Sequence, residues 1–137
     1  MALMDIFNIS GSAMSVQTLR MNVTASNLAN VDSVGSSEAD TYRARQPVFE
    51  TMMGGYLGNP RGAGVRVSGI VESTAALRQR FQPEHPNANE QGYVYLPNVD
   101  AIEEMANMIS ASRAYQNNVE IINASKEMLL RTLSLGQ

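Results

Sequence analysis

"NVTASNLANVDSVG", residues 22–35, carries apolar residues at helical spacing, Val23, Ala25, Leu28 and Ala29, with Asn, Ser and Thr between them and no charge until Asp32. A solvated helix face ordinarily uses Lys and Glu, which are good helix formers and pair at i,i+4. Asn and Ser are poorer helix formers, so their use needs another reason. A short amide or hydroxyl satisfies partners in a crowded contact without burying a charge. The expectation is a helix whose polar face, around Asn22, Ser26, Asn27 and Asn30, is covered by neighbouring copies of the chain.

Reading outward toward the N-terminus, the helix extends back to about Leu3. One apolar row is Ile9, Val16 and Val23, flanked by Leu19; a second is Phe7, Met14, Met21 and Leu28. At about 100° per residue the two rows lie on roughly opposite faces. "SGSAMS", residues 10–15, adds small residues that let another helix approach closely. Downstream, Asn30, Gly35 and a Ser/Asp cluster end the helix with loop chemistry.

The far end of the chain repeats the theme. "DAIE", residues 100–103, is a capping box with Asp100 as N-cap, and the helix it opens runs to Leu135, with Gly136 as the stop. Ala101, Met105, Met108, Ser112, Tyr115, Val119, Ile122, Lys126, Leu129 and Leu133 keep an alternating spacing of four and three. That is a heptad seam with polar interruptions. Ala114, Ile121, Met128 and Leu135 form a second row on roughly the opposite side. Between Met105 and Val119 the only charge is Arg113.

The middle of the chain reads as a small β unit of four strands. Residues 41–50 are extended, with Pro47 marking an edge. Val65 and Val67 alternate against Arg66 and Ser68 in a strand over residues 65–73. Residues 75–81 fit a strand or a short helix, and residues 93–97 a short strand. Residues 52–64 form a Gly-rich loop, and residues 82–92 a Pro/Asn-rich turn region. The fold class is therefore α+β: long N- and C-terminal helices pair as a coiled-coil-like inner domain, and a small β unit sits between them in sequence. The inner domain comprises residues 1–30 with 98–137, and the outer β-rich domain residues 31–97.

Composition narrows the function. The 137 residues are 44% hydrophobic but only 17% charged, below the usual share of about 25%. A folded chain with few charges often presents surface that something else covers. The net charge of −3 and scattered basic residues give no footprint for nucleic acid. There is no Cys and a single His, His85, so thiolate chemistry is excluded and a metal site or acid–base centre has no partners. "GNPRGAG", residues 58–64, lacks the Gly-Lys-Ser/Thr of a phosphate loop. Asp100, Glu103 and Glu104 occupy a helix's first turn, where acids complement the macrodipole. No catalytic residue, cofactor, metal or small-molecule substrate is expected. The opening residues show neither a basic region nor a long apolar run, so no cleaved signal peptide is expected either.

What remains is two helices, each apolar on two sides. One side can pair within the chain and the other needs another subunit. The expected interface residues are Phe7, Ile9, Met14, Val16, Leu19, Met21, Val23, Asn27, Leu28 and Asn30 on the first helix. On the second they are Met105, Met108, Tyr115, Val119, Ile122, Leu129 and Leu133.

Four blocks carry a resemblance: "SNLANVDSV" (26–34), "YRARQPVF" (42–49), "HPNANEQGYVYLPNVD" (85–100) and residues 103–137. In this order they resemble the flagellar axial-protein family, in particular its short proximal-rod members. Generic rod and hook proteins place an aromatic directly after the motif glycine; here "SSEADT" separates Gly35 from Tyr42, as in the proximal-rod members. The resemblance implies a structural, non-enzymatic subunit of the bacterial flagellar basal body. It also implies export through the flagellar type III apparatus without a cleaved signal, and assembly into a helical drive shaft crossing the periplasm. The implied partners are other copies of the chain, the other proximal- and distal-rod proteins, and the export-gate adaptor FliE. A competing reading is a soluble helical adaptor or export chaperone acting as a small oligomer.

Overall fold

The computed structural model describes residues 2–52 and 64–135, with side chains from Met4 onward. Most of the Gly-rich loop expected over residues 52–64, and the stop at Gly136, lie outside the described residues. The elements run α1 (Ala2–Ala29), β1 (Arg45–Met52), β2 (Gly64–Glu72), β3 (Arg78–Phe81), β4 (Tyr93–Leu96) and α2 (Ala101–Leu135). At 1.5 Å per residue the two helices are about 42 and 52 Å long. The α+β architecture expected from the pattern is the one observed.

Helix α2 starts where its cap dictates. The Asp100 carboxylate accepts from the backbone N–H of Ile102 at 2.8 Å and of Glu103 at 3.2 Å, satisfying two donors that the first turn leaves free. The helices pair antiparallel. Arg20 donates to Asn107 Oδ1 at 3.0 Å, and seven residues further along α1 Asn27 donates to Glu104, nearer the start of α2.

The phase of the α2 seam differs from the expected one. Its buried residues are Glu104, Ala111 and Ser125, which with half-buried Met108, Tyr115, Asn118, Ile122 and Leu129 form the inward row. Every second position is thus displaced by one residue from the expected seam of Met105, Ser112, Val119 and Lys126. Small side chains at Ala111 and Ser125 are the physical reason. They let the two backbones approach, while larger Met105 turns outward and is half exposed.

Strands β1 and β2 form an antiparallel hairpin whose register shifts between Val48 and Phe49. The hairpin leans on α1, and Ser12 Oγ accepts from the Val65 N–H at 3.2 Å. Strands β3 and β4 form a second antiparallel pair, closed at its end by an edge-to-face contact of Phe81 and Tyr93 with centroids 5.2 Å apart. That pairing makes Arg78–Phe81, the second half of the ambiguous segment 75–81, a strand, while residues 75–77 are irregular. Gly92 turns the chain between them with φ +80°. On the other side of β4, Gly35 and Tyr95 exchange both backbone hydrogen bonds at 3.0 Å, so the exit from α1 is stitched to the small sheet. Asn98 adds a further tie, accepting from the Ala44 N–H at 2.8 Å and donating to the Ala75 carbonyl at 3.0 Å.

Gly35 is required by close approach. A Cβ there would lie 2.2 Å from Thr41 Oγ1 and 3.0 Å from Thr41 Cα. The variant Gly35→Ala is expected to lose about 1–3 kcal/mol through overpacking, and Gly69→Ala, where a Cβ meets nothing within 4 Å, far less. Urea unfolding of the two variants checks the difference.

Candidate functional site: the helix surfaces and their joint

The question raised by the amide-rich helix is answered at Asn27, which is 1% exposed. Its Oδ1 accepts from the Tyr42 hydroxyl at 2.8 Å and from the Arg45 N–H at 2.9 Å. Its Nδ2 donates to the Arg45 carbonyl at 2.9 Å and to Glu104 Oε1 at 3.1 Å. All four hydrogen-bonding positions of the amide are used. The side chain thus joins α1 to α2 and to the first residue of β1. Ser26 supports it from the same turn, its hydroxyl 3.2 Å from the Tyr42 hydroxyl. The Arg45 guanidinium lies 5.5 Å from the Tyr42 ring centroid, adding a cation–π contact.

Asn27 was expected to face a neighbouring copy. The structure places it inside the chain, because a loop and a strand root from the same molecule fold back over this end of α1. Val16 and Val23 are likewise buried within the chain. Of the other amides on this face, Asn30 donates to the Ser26 carbonyl of its own helix at 2.8 Å, and Asn22 is exposed.

The remaining expected interface residues divide by exposure. Phe7, Met14, Leu19, Met21, Leu28 and Asn30 on α1 are half-buried, as are Met108, Tyr115, Val119, Ile122 and Leu129 on α2. Ile9, Met105 and Leu133 are exposed. The sequence reading missed other large apolar side chains that the fold leaves in the open: Met4 and Ile6 on α1, and Ile102, Ile109 and Leu130 on α2. Ile102, Met105 and Ile109 follow i, i+3, i+7 on the side of α2 turned away from α1. Ile121, Met128 and Leu135 continue the apolar surface along a flank, Leu135 at 88% exposure. Met52, Val48, Phe49, Ile70 and Val71 are exposed on the hairpin.

Glu104 is 8% exposed. Burial raises its carboxyl above the ordinary carboxylate range, and the charge of Glu103 adds to this. Hydrogen bonds from Asn27 and Thr24, and the charge of Arg20, oppose the shift. His85 Nδ1 accepts from the Asn87 N–H at 3.1 Å within the turn after β3, a local use that fits its place between two prolines.

Comparison with known proteins places these elements in a family. A family model described as "Flagella basal body rod protein" matches residues 7–35, which is α1 with its exit to Gly35. A second, described as "Flagellar basal body rod FlgEFG protein C-terminal", matches residues 90–135, which is β4 and α2. Over the full length of both chains, the sequence is 50% identical to the flagellar basal-body rod protein FlgC of Yersinia enterocolitica. It is 48% identical to that of Salmonella typhimurium, again over both full lengths. The FlgC of Borreliella burgdorferi is 35% identical across all of this chain and 99% of its own length.

Removing the Asn27 amide strands Glu104 and both backbone groups of Arg45. Asn27→Leu is expected to cost about 2–3 kcal/mol. Asn22→Leu, five residues earlier and exposed, should change stability by no more than about 0.5 kcal/mol. Equilibrium denaturation of the two variants separates a structural amide from a surface one.

Proposed function

The chain belongs to the family of flagellar basal-body rod proteins and is a structural subunit of that rod, and we propose that it polymerises through the outward faces of its two terminal helices. The observation that carries this reading is the apolar surface of α2 that none of the described residues covers, from Ile102 at 76% exposure to Leu135 at 88%. A helix packed on a single-chain domain needs one apolar stripe; α2 has one against α1 and another that meets none of the described residues. The whole chain exposes 9593 Å², whereas a compact monomer of 14.9 kDa is expected to expose about 7,000 Å².

In this reading residues 1–30 and 98–137 form the inner, tube-lining domain and residues 31–97 the outer one. The interface draws on Ile9, Met105 and Leu133 together with Ile102, Ile109, Ile121 and Met128. The half-buried residues Phe7, Met14, Met21, Leu28, Val119 and Leu129 flank it. Its partners are other copies of the chain, the other proximal- and distal-rod proteins and the adaptor FliE. The subunit reaches the rod across the periplasm through the flagellar type III export apparatus and performs no catalysis. The reading of a free helical adaptor or chaperone is not favoured, since relatives named as rod proteins match the chain from end to end.

An assembly role separates from folding at the outward face. Ile102→Asp and Ile109→Asp place charges where the isolated chain tolerates them, so far-UV circular dichroism and the thermal midpoint should stay close to wild type. In a strain lacking the native copy, motility and incorporation into purified basal bodies should be lost, because a charge buried there without a partner costs several kcal/mol. Wild-type incorporation of both variants would contradict the proposed interface.

A further inference from the structure

Glu104 is the one ionisable side chain among the buried polar residues described, and it sits where three elements meet. From α1 it is faced by Arg20, Thr24 and Asn27, from its own helix by Glu103, and across a cleft of about 340 Å³ by Arg45 of β1. Neither arginine is committed to it. Arg20 donates to Asn107, and Arg45 pairs with Glu72 at 3.4 Å. The ion pairs among the described residues are Arg43–Glu38, Arg45–Glu72 and Arg66–Glu50, and none includes Glu104. Its hydrogen-bonding partners at the joint are neutral, the Asn27 amide at 3.1 Å and the Thr24 hydroxyl.

A buried carboxylate without a close counter-ion is costly when charged and tolerable when neutral. A protonated carboxyl keeps a carbonyl oxygen that still accepts from Asn27 Nδ2. We propose that Glu104 makes the joint of α1, α2 and β1 a proton-sensitive latch, closed when the carboxyl is neutral and loosened when it ionises. The consequence extends beyond the two helices, because the amide that meets Glu104 also holds both backbone groups of Arg45. Loosening at α2 therefore reaches the root of the hairpin.

The direction follows from linkage. Burial raises the Glu104 carboxyl in the closed joint above its value in an open chain. The closed joint then binds its proton more tightly than the open one. The latch contributes fully below the ordinary carboxylate range and its contribution is lost as pH rises through the raised value.

Native-state hydrogen exchange on the full chain at pH 7 and pH 5, corrected for intrinsic exchange, tests this. Protection of the Arg45 N–H and of the β1–β2 amides should rise on acidification. The rise should be a few-fold at pH 5 and approach about tenfold, for each unit by which the closed joint raises the carboxyl, only below the ordinary carboxylate range. Glu104→Gln, neutral at both pH values and of the same size, should flatten this dependence and give acid-level protection at pH 7. Glu103→Gln, on the exposed side of the helix start, should leave most of the dependence in place. The proposal is overturned by equal wild-type protection at both pH values, or by a Glu104→Gln variant that keeps the wild-type dependence or fails to fold. It is equally overturned by loss of the dependence in Glu103→Gln, or by a response confined to α2 while the hairpin stays unchanged.

Discussion

The four hydrogen bonds of the Asn27 side chain are the constraint on which the rest of the described structure depends. Two helices paired along one stripe would still be free to slide, and a two-stranded hairpin has little stability alone. Asn27 fixes both at one point. Through Glu104 it sets the height of α2 against α1, and through the N–H and carbonyl of Arg45 it sets where the hairpin leaves the helices. An aspartate could not do this, since it lacks the two donors. A glutamine would place the amide one methylene too far from Arg45. With its own hydrogen-bonding capacity filled, the amide is unavailable to a neighbouring copy. In the proposed assembly, the register between copies would then come from other residues.

Among the described residues the buried apolar set is small in both number and size: Val16, Val23, Ala44, Val94, Val99 and Ala111. Small residues at the helix–helix contact bring backbones together but bury little apolar area, so each contact contributes little at about 25 cal/mol per Å². The larger residues, Ile102, Met105, Ile109, Met128 and Leu135, are on the outside. This inverts the usual distribution of a monomeric domain. Polar bonds within the chain give it shape, while large apolar side chains of α2 stay exposed, as the proposed assembly through that face requires.

That inversion also explains which parts of the fold were legible in the sequence. Helix limits were, because Asp100 is a cap chemistry that acts within three residues, and because the run from Leu3 to Ala29 has no breaker stronger than Gly11. The period of the α2 seam was legible and its phase was not. A helix with apolar residues on two sides satisfies the same four-three spacing at neighbouring phases, and hydrophobicity favours Met105 over Glu104 and Val119 over Asn118. The fold chooses Glu104 and Ala111 because packing distance and a hydrogen bond to Asn27 outweigh side-chain hydrophobicity at those positions. Asn27 itself was visible as an anomaly, an amide on a helix that lacked Lys and Glu. Its partners were not, since Tyr42, Arg45 and Glu104 stand 15, 18 and 77 positions away. No local pattern links segments that far apart, and nothing in their composition marks them as one site.

The same reasoning bears on why the chain carries so few charges where its helices meet. Every charged residue between two rod-like helices must be either exposed in the assembly or neutralised in it, and desolvation makes the second costly. Arg20 avoids the cost by bonding the neutral amide of Asn107 at the margin of the joint. Arg43, Arg45 and Arg66 avoid it by pairing with carboxylates on exposed surface. Among the described charged residues Glu104 alone is buried, and it lies beside an amide able to donate to it in either protonation state. A polymer built from such subunits can close its inner contacts over apolar side chains without stranding a charge, provided that this one carboxyl is accommodated within each chain before the next chain arrives. The amides and hydroxyls at the end of α1 are therefore chemistry for finishing the subunit, and under the proposed mode of assembly the exposed isoleucines, methionines and leucines of α2 are chemistry for joining subunits together.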